Sequence, residues 1–381
     1  MKIVYCLNAI CYGGGTERVT IAKANALAEI EGNEVWILVT DNKYAPALPI
    51  SEKVHLVDLG IEYYVNQSKN PIIDLLKESV KRHRHKLLLQ KTLEDIGPDI
   101  VISVNQGEKY ILPRLRLSSN PVVIRELHYY KYYRRDFADS LVKRLLARLA
   151  DWYDFGWKIW KYDAIVTLTE TDRQLYWNGD ERVRVMPNPL IEKPARRSDC
   201  NNKIVMAVGR LKAQKNFRAL LRVWQKVEAR HADWKLQIWG EGSEREQLEE
   251  DIRLLQLKNA TLQGFSPDLI EHYADASLLA VSSMYEGFPL MIIEAMSAGL
   301  PVVSCDCPCG PRDIICDGAD GFLVGQDDVD ALAEKICFLI ENEDVRKKMG
   351  GRAKVKSENY KIGDIALRWM RLFEELKPQK A

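Results

Sequence analysis

The chain predicts two doubly wound α/β domains, each on a parallel sheet of Rossmann-like type and together facing a cleft. Two observations carry this. Short apolar runs alternate with longer segments of helical spacing along the whole chain. The alternation breaks once, over a polar stretch at 190–202, and then restarts. At 381 residues, two halves, 1–190 and 200–360, fit the length better than one very large sheet.

The elements follow in order. Residues 2–8 read as a buried strand, followed by a glycine-rich loop, Gly13-Gly14-Gly15-Thr16-Glu17-Arg18. Residues 19–31 have helical spacing and stop at Gly32. Strands are expected at 34–40, 99–104, 121–126 and 163–168, with a long helix at 71–96. Past the linker, strands are expected at 204–208, 234–239, 278–281, 301–304 and 321–324. Helices at 217–230 and 243–257 separate the first of them, and Leu220, Leu221, Trp224 and Val227 share one face of the former. The last helix, 362–376, sets Ile365, Trp369, Leu372 and Phe373 on one face, too apolar for a tail.

The stretch from Ser283 to Glu294 is the centre of the second half. Glu286 and Glu294 flank Gly287-Phe288-Pro289 and the start of an apolar run at Leu290. Proline is comfortable in the first turn of a helix, so a loop carrying Glu286 leads into a helix near Pro289 that ends at Gly299-Leu300-Pro301. The amides at such a start favour an anion, and Pro289 has none to give. A carboxylate on the preceding loop suits sugar hydroxyls. On its own a Glu-x7-Glu pattern fits a solvated helix as readily. The second element is Val208 to Asn216, where Arg210 and Lys215 lie just past a strand. A guanidinium fork and an ammonium there suit a diphosphate, although a solvated basic loop reads the same way.

Three contiguous glycines give either a tight turn or a loop whose amides approach a ligand. They do not match the spaced glycines of a nicotinamide site. His128 follows a strand end, where a lone histidine is either packed or a polar contact in the site. Net charge is +1, which argues against nucleic acid. No apolar run reaches the roughly 18 residues of a membrane span, so the expected location is cytoplasmic. Eight cysteines in such a chain do not form a disulfide framework, and Cys305, Cys307 and Cys309 lack zinc spacing, so no metal site is expected.

Glu286 to Glu294, with Gly310-Pro311-Arg312-Asp313 and Asp317-Gly318-Ala319-Asp320-Gly321 behind it, resembles the retaining nucleotide-sugar glycosyltransferases of family 4. The run from Cys307 to Ile315 looks most like the branch that builds bacterial surface polysaccharides. The resemblance implies a GT-B fold, with the final helix, 361–381, packed back on the first domain. It implies a hexose or N-acetylhexosamine moved from a UDP-sugar to a lipid-linked or polysaccharide acceptor, with an α-linkage and no cofactor. It assigns Glu286 to the transferred sugar, Glu294 to the ribose, and Arg210 with Lys215 to the donor diphosphate. Amides around Gly287, Phe288 and Leu290 would meet the phosphates. Gly14 and Gly15 fall at the donor side of the first-domain loop, Glu17 at its acid position towards the acceptor, and His128 near the sugar. A sugar-nucleotide epimerase and a non-catalytic sugar-nucleotide scaffold are the alternatives.

Two stretches bear on the acceptor. Residues 71–91 and 129–161 are basic, and the second interleaves Tyr129, Tyr132, Trp152 and Trp157 with its cations. Such residues suit the inner face of an anionic membrane, or else the aromatic rings fill a core.

Overall fold

Each half of the chain closes on its own parallel sheet. The computed structural model describes residues 1–11, 14–63, 71–104, 107–136 and 140–377. Gly13 of the glycine loop and Asn105 at a strand end lie outside the described residues.

The first sheet contains β1 (Lys2–Leu7), β2 (Glu34–Val39), β3 (Val54–Asp58), β4 (Ile100–Ser103), β5 (Val122–Glu126), β6 (Ala164–Thr167) and β7 (Val183–Val185). The second contains β8 (Ile204–Val208), β9 (Lys235–Trp239), β10 (Ala260–Gly264), β11 (Leu278–Val281), β12 (Val302–Cys305) and β13 (Gly321–Val324). Their orders are β3-β2-β1-β4-β5-β6-β7 and β10-β9-β8-β11-β12-β13. Strand order therefore reverses between β1 and β4 in one sheet and between β8 and β11 in the other. Crevices for ligands open at the carboxyl ends of such switch points.

Sequence reading missed β3, β7 and β10, and all three are outermost or next to solvent in their sheets. An outer strand buries one flank less, so polar residues such as His55, Thr261 and Gln263 interrupt its apolar run.

One compact unit comprises Met1–Leu168, Arg173–Ile191 and Ile362–Ala381, and the other comprises Thr169–Asp172 and Glu192–Lys361. Ile365, Trp369, Leu372 and Phe373 of the final helix, Ile362–Leu376, belong to the core formed by β1, β2 and β4. The second core gathers Trp224, Leu220 and Val227 from the helix Phe217–Arg230 with Leu236, Ile238 and Val303. The polar stretch read as a linker is not loose throughout. Ser198 donates its amide to Ala298 O (2.9 Å), and Arg346 Nε donates to Cys200 O (3.0 Å), so 198–200 are part of the second unit.

The aromatic stretch 129–161 splits between the two expectations. Tyr130, Phe155 and Ile159 are buried, whereas the helix Leu141–Asp151 and the π-helical turn Trp152–Lys158 expose Leu141, Leu145, Leu149, Trp152 and Trp157. Within 71–91, His85 is buried against the Tyr63 hydroxyl (3.0 Å), so the run from Lys81 to Lys86 is not a wholly solvated basic face. Among the described residues no helix is long and apolar enough to cross a membrane.

Candidate active site

The second switch point is assembled from three loops. Past β8, Gly209 leads into Arg210, a short 3-10 turn at Ala213–Lys215, and Asn216 in the left-handed region at the head of the next helix. The loop after β9 is interlocked with it. Gly209 N donates to Trp239 O (3.0 Å) and Leu211 N to Glu241 O (2.9 Å). A Cβ at Gly240 would lie 2.0 Å from the Gly209 carbonyl oxygen, and one at Gly242 would lie 2.3 Å from that of Leu211. Gly240 and Gly242 are glycines because two backbones touch there. They fix the path of the chain that carries Arg210.

The loop after β11 is pinned to the same turn. Ser282 Oγ donates to Lys215 O (2.8 Å), Met284 N to Gln214 O (2.8 Å), and Gln214 Nε2 to Tyr285 O (3.0 Å). These bonds bring Glu286 Oε1 to 2.6 Å from Lys215 Nζ, both side chains being mostly buried. Gly310 presses from behind: a Cβ there would meet Pro289 Cδ at 2.5 Å and Glu286 Cβ at 3.5 Å. Phe288 sets its ring edge-on to Tyr360. Pro289 then caps the helix Leu290–Ala298, which Gly299 ends in the left-handed region (φ +87°). Ile292 N makes the first internal bond, to Pro289 O (3.0 Å), so the amides of Leu290 and Met291 precede it at the positive end. Glu294, one turn further on, is buried and accepts from Tyr273 OH (3.0 Å). Arg210 is exposed. Lys215 and Glu286 thus touch ahead of a helix start, Glu294 lies one turn along that helix, and Arg210 lies on the same loop as Lys215.

In the first unit, Gly14 precedes the helix Gly15–Ala28. Gly15, Thr16, Glu17 and Arg18, expected in the loop, form instead the helix's first turn. Glu17 curls back over that start, for a Cβ at Gly14 would lie 2.4 Å from Glu17 Oε2. An acidic side chain there is favoured by the helix dipole. His128 lies just past β5, its Nε2 3.1 Å from Glu126 Oε1. Glu126 is also ion-paired with Lys23, and both are fully enclosed. The Lys23 ammonium sits 4.7 Å from the centre of the Trp369 ring. Burial alone would raise the Glu126 carboxyl, but Lys23 and His128 hold it down to about 2. Sequence reading missed this Lys23–Glu126 pair. A signal was present: Lys23 falls on the stripe of Thr20, Ala24 and Leu27, the helix's buried face.

Cys305, Cys307 and Cys309 are buried free thiols. Burial pushes the Cys305 thiol up to about 11 and Cys307 higher still.

The model of the family described as "Glycosyl transferases group 1" matches residues 191–356, the span that holds Arg210, Lys215, Glu286 and Glu294. Residues 191–356 thus form a group 1 glycosyltransferase domain. This glycosyltransferase is 28% identical to an uncharacterized glycosyltransferase of Haemophilus influenzae, over 97% of this chain and 98% of that one. It is 26% identical, over 99% of each chain, to a Campylobacter jejuni enzyme named as an α-1,4-N-acetyl-D-galactosaminyltransferase acting on a diphospho-undecaprenol-linked glycan. Among solved structures, TarM superposes with a TM-score of 0.78 at 17% identity, covering 98% of both chains. Anabaena Alr3699/HepE, solved with UDP and glucose, gives 0.72 at 17% identity, covering 98% of this chain and 99% of its own. The glycosyltransferase has the GT-B fold.

Proposed function

We propose that this glycosyltransferase is a retaining, metal-independent hexosyltransferase of bacterial surface-polysaccharide assembly. It takes a hexose or N-acetylhexosamine from a UDP-sugar and forms an α-bond to a lipid-linked or polysaccharide acceptor. One observation carries the reading: Lys215 and Glu286 touch in front of the helix start at Leu290, with Glu294 one turn behind. Arg210, Lys215 and the amides of Phe288, Leu290 and Met291 take the donor diphosphate, whose charge grows as it leaves. Glu286 holds hydroxyls of the sugar and Glu294 the ribose. No cofactor or metal enters this scheme. The bond from the anomeric carbon to the diphosphate oxygen breaks as the acceptor oxygen bonds on the same face. The acceptor's proton passes to the departing phosphate oxygen. His128, oriented by Glu126, contributes a polar contact to the sugar, Gly14 and Gly15 face the donor, and Glu17 faces the acceptor.

The UDP complexes of HepE and the α-transferase names of the relatives support the donor and the linkage. The exposed apolar face from Leu141 to Trp157, flanked by Lys143, Arg144 and Arg148, supports attachment to an anionic inner membrane surface.

A thermal-shift series tests the donor assignment. UDP and UDP-sugars should raise the melting temperature, since a ligand at a hundred times its dissociation constant adds about 2.7 kcal/mol. Arg210→Ala should abolish the shift. A shift with GDP or ADP alone would overturn the donor, and no shift with any nucleotide would overturn the transferase reading.

A further inference from the structure

A second cavity lies wholly within the first unit, where Lys109, Tyr110, Arg125, Tyr129, Asp154 and Lys158 face one another. Its enclosed part has room for about one water molecule, and with the open mouth the space reaches about 310 Å³. Three of these six side chains are cations and one is a carboxylate. The carboxylate is already engaged: Asp154 accepts from Lys109 Nζ (2.9 Å) and the Tyr110 hydroxyl, and it is ion-paired with Arg134 NH1 (2.6 Å). Arg125 is buried and donates to Ser103 Oγ (2.6 Å), with Glu108 3.8 Å away. Lys158 differs. It is 7% exposed, and among the described residues it has no carboxylate partner. Its ammonium lies over the rings of Trp157 (3.6 Å) and Tyr153 (4.9 Å). Enclosing an ammonium with no counter-charge is costly unless an anion joins it.

We infer that this cavity is a subsite for a phosphoryl group of the acceptor. The inference rests on the acceptor reading proposed above. A phosphoryl group offers several oxygens, so it can accept from Lys158, Lys109 and a guanidinium at once. The same turn that carries Lys158 exposes Trp152 and Trp157, continuing the apolar face of the Leu141–Asp151 helix. Rings at headgroup level would hold the cavity at the depth of a lipid phosphate.

The test is amine footprinting of the wild-type protein with saturating UDP, so that Lys215 and Arg210 are occupied. Acetylation of Lys109 and Lys158 is read by peptide mass. Geranyl diphosphate should slow labelling of Lys158 by roughly fivefold or more, and Lys158→Gln should weaken its binding about tenfold, as expected for one lost charged hydrogen bond. Equal protection by inorganic phosphate would mark the phosphate of a soluble polymer as the source, and protection by geranyl diphosphate alone would mark a lipid head; either supports a phosphoryl subsite. Unchanged labelling at saturating concentrations of both probes would overturn it, and this arm needs no variant to fold. Protection of Lys215 by UDP is read in the same samples, so failure of the donor reading is seen separately.

Discussion

Lys215 Nζ lies 2.6 Å from Glu286 Oε1, tying the loop after β8 to the loop after β11 across the switch point of the second sheet. Each group neutralises the other while no substrate is bound. On the proposed reading, a donor diphosphate competes for the lysine and frees the carboxylate for the sugar.

Removing one partner of this pair therefore has two readouts. Lys215→Ala leaves Glu286 enclosed and unpaired, which should cost about 3 kcal/mol in urea unfolding. Lys215→Arg should recover most of that stability. Glu286→Gln should retain UDP binding in calorimetry and lose transfer by about a hundredfold or more, as for other groups that act on the transition state. Undiminished transfer by Glu286→Gln would remove that residue from the chemistry.

Gly240→Ala should be far more damaging than its size suggests. The new methyl would sit 2.0 Å from the Gly209 carbonyl oxygen, so the Arg210 backbone must move. Gly32→Ala is the comparison, since Gly32 also has positive φ but open space around it. It should cost about 1 kcal/mol of backbone strain. Equal melting temperatures for the two variants would show that the interlock does not matter.

The Glu126 carboxyl should shape the acid limb of stability. It is held at about 2, against an ordinary 4.5, so between those values the unfolded chain binds the proton more readily. Its contribution is complete above about pH 4.5 and is lost as pH falls through about 2. A shift of that size corresponds to about 3 kcal/mol. In urea titrations the gap between wild type and Glu126→Gln should begin to close below about pH 4.5. A gap independent of pH would mean that Glu126 is not paired as described.

Leu145→Glu and Leu149→Glu should each reduce sedimentation with phosphatidylglycerol vesicles by about tenfold, while leaving the melting temperature within about 1 °C because both side chains are exposed. Binding should also weaken at high salt. Unaltered sedimentation would exclude this face as the membrane contact.

Much of this was legible because the relevant signals are local. The strands β1, β4, β8 and β11, buried on both faces, read as unbroken apolar runs, and they carry the switch points. Pro289 and Gly299 bracket their helix by backbone chemistry alone. The contact of Lys215 with Glu286 joins residues 71 positions apart, so spacing could only place them at neighbouring strand ends. Lys23 and Glu126 are harder still, because a charge on an apolar stripe acquires meaning only with its partner 103 residues away. The cavity around Lys158 was hidden for another reason. Its turn mixes buried Phe155 and Ile159 with exposed Trp152 and Trp157, and periodicity cannot sort rings in a π-helical turn.

The interlock of Gly209 with Gly240, and of Leu211 with Gly242, separates what this sequence can vary from what it must keep. Between the two glycines stands Glu241, whose backbone carbonyl joins the interlock while its exposed side chain accepts from Arg245. Side chains can be exchanged at position 241 without moving the chain that carries Arg210. A lineage can thus change the surface of this loop by single substitutions while the backbone leading to Arg210 keeps its path.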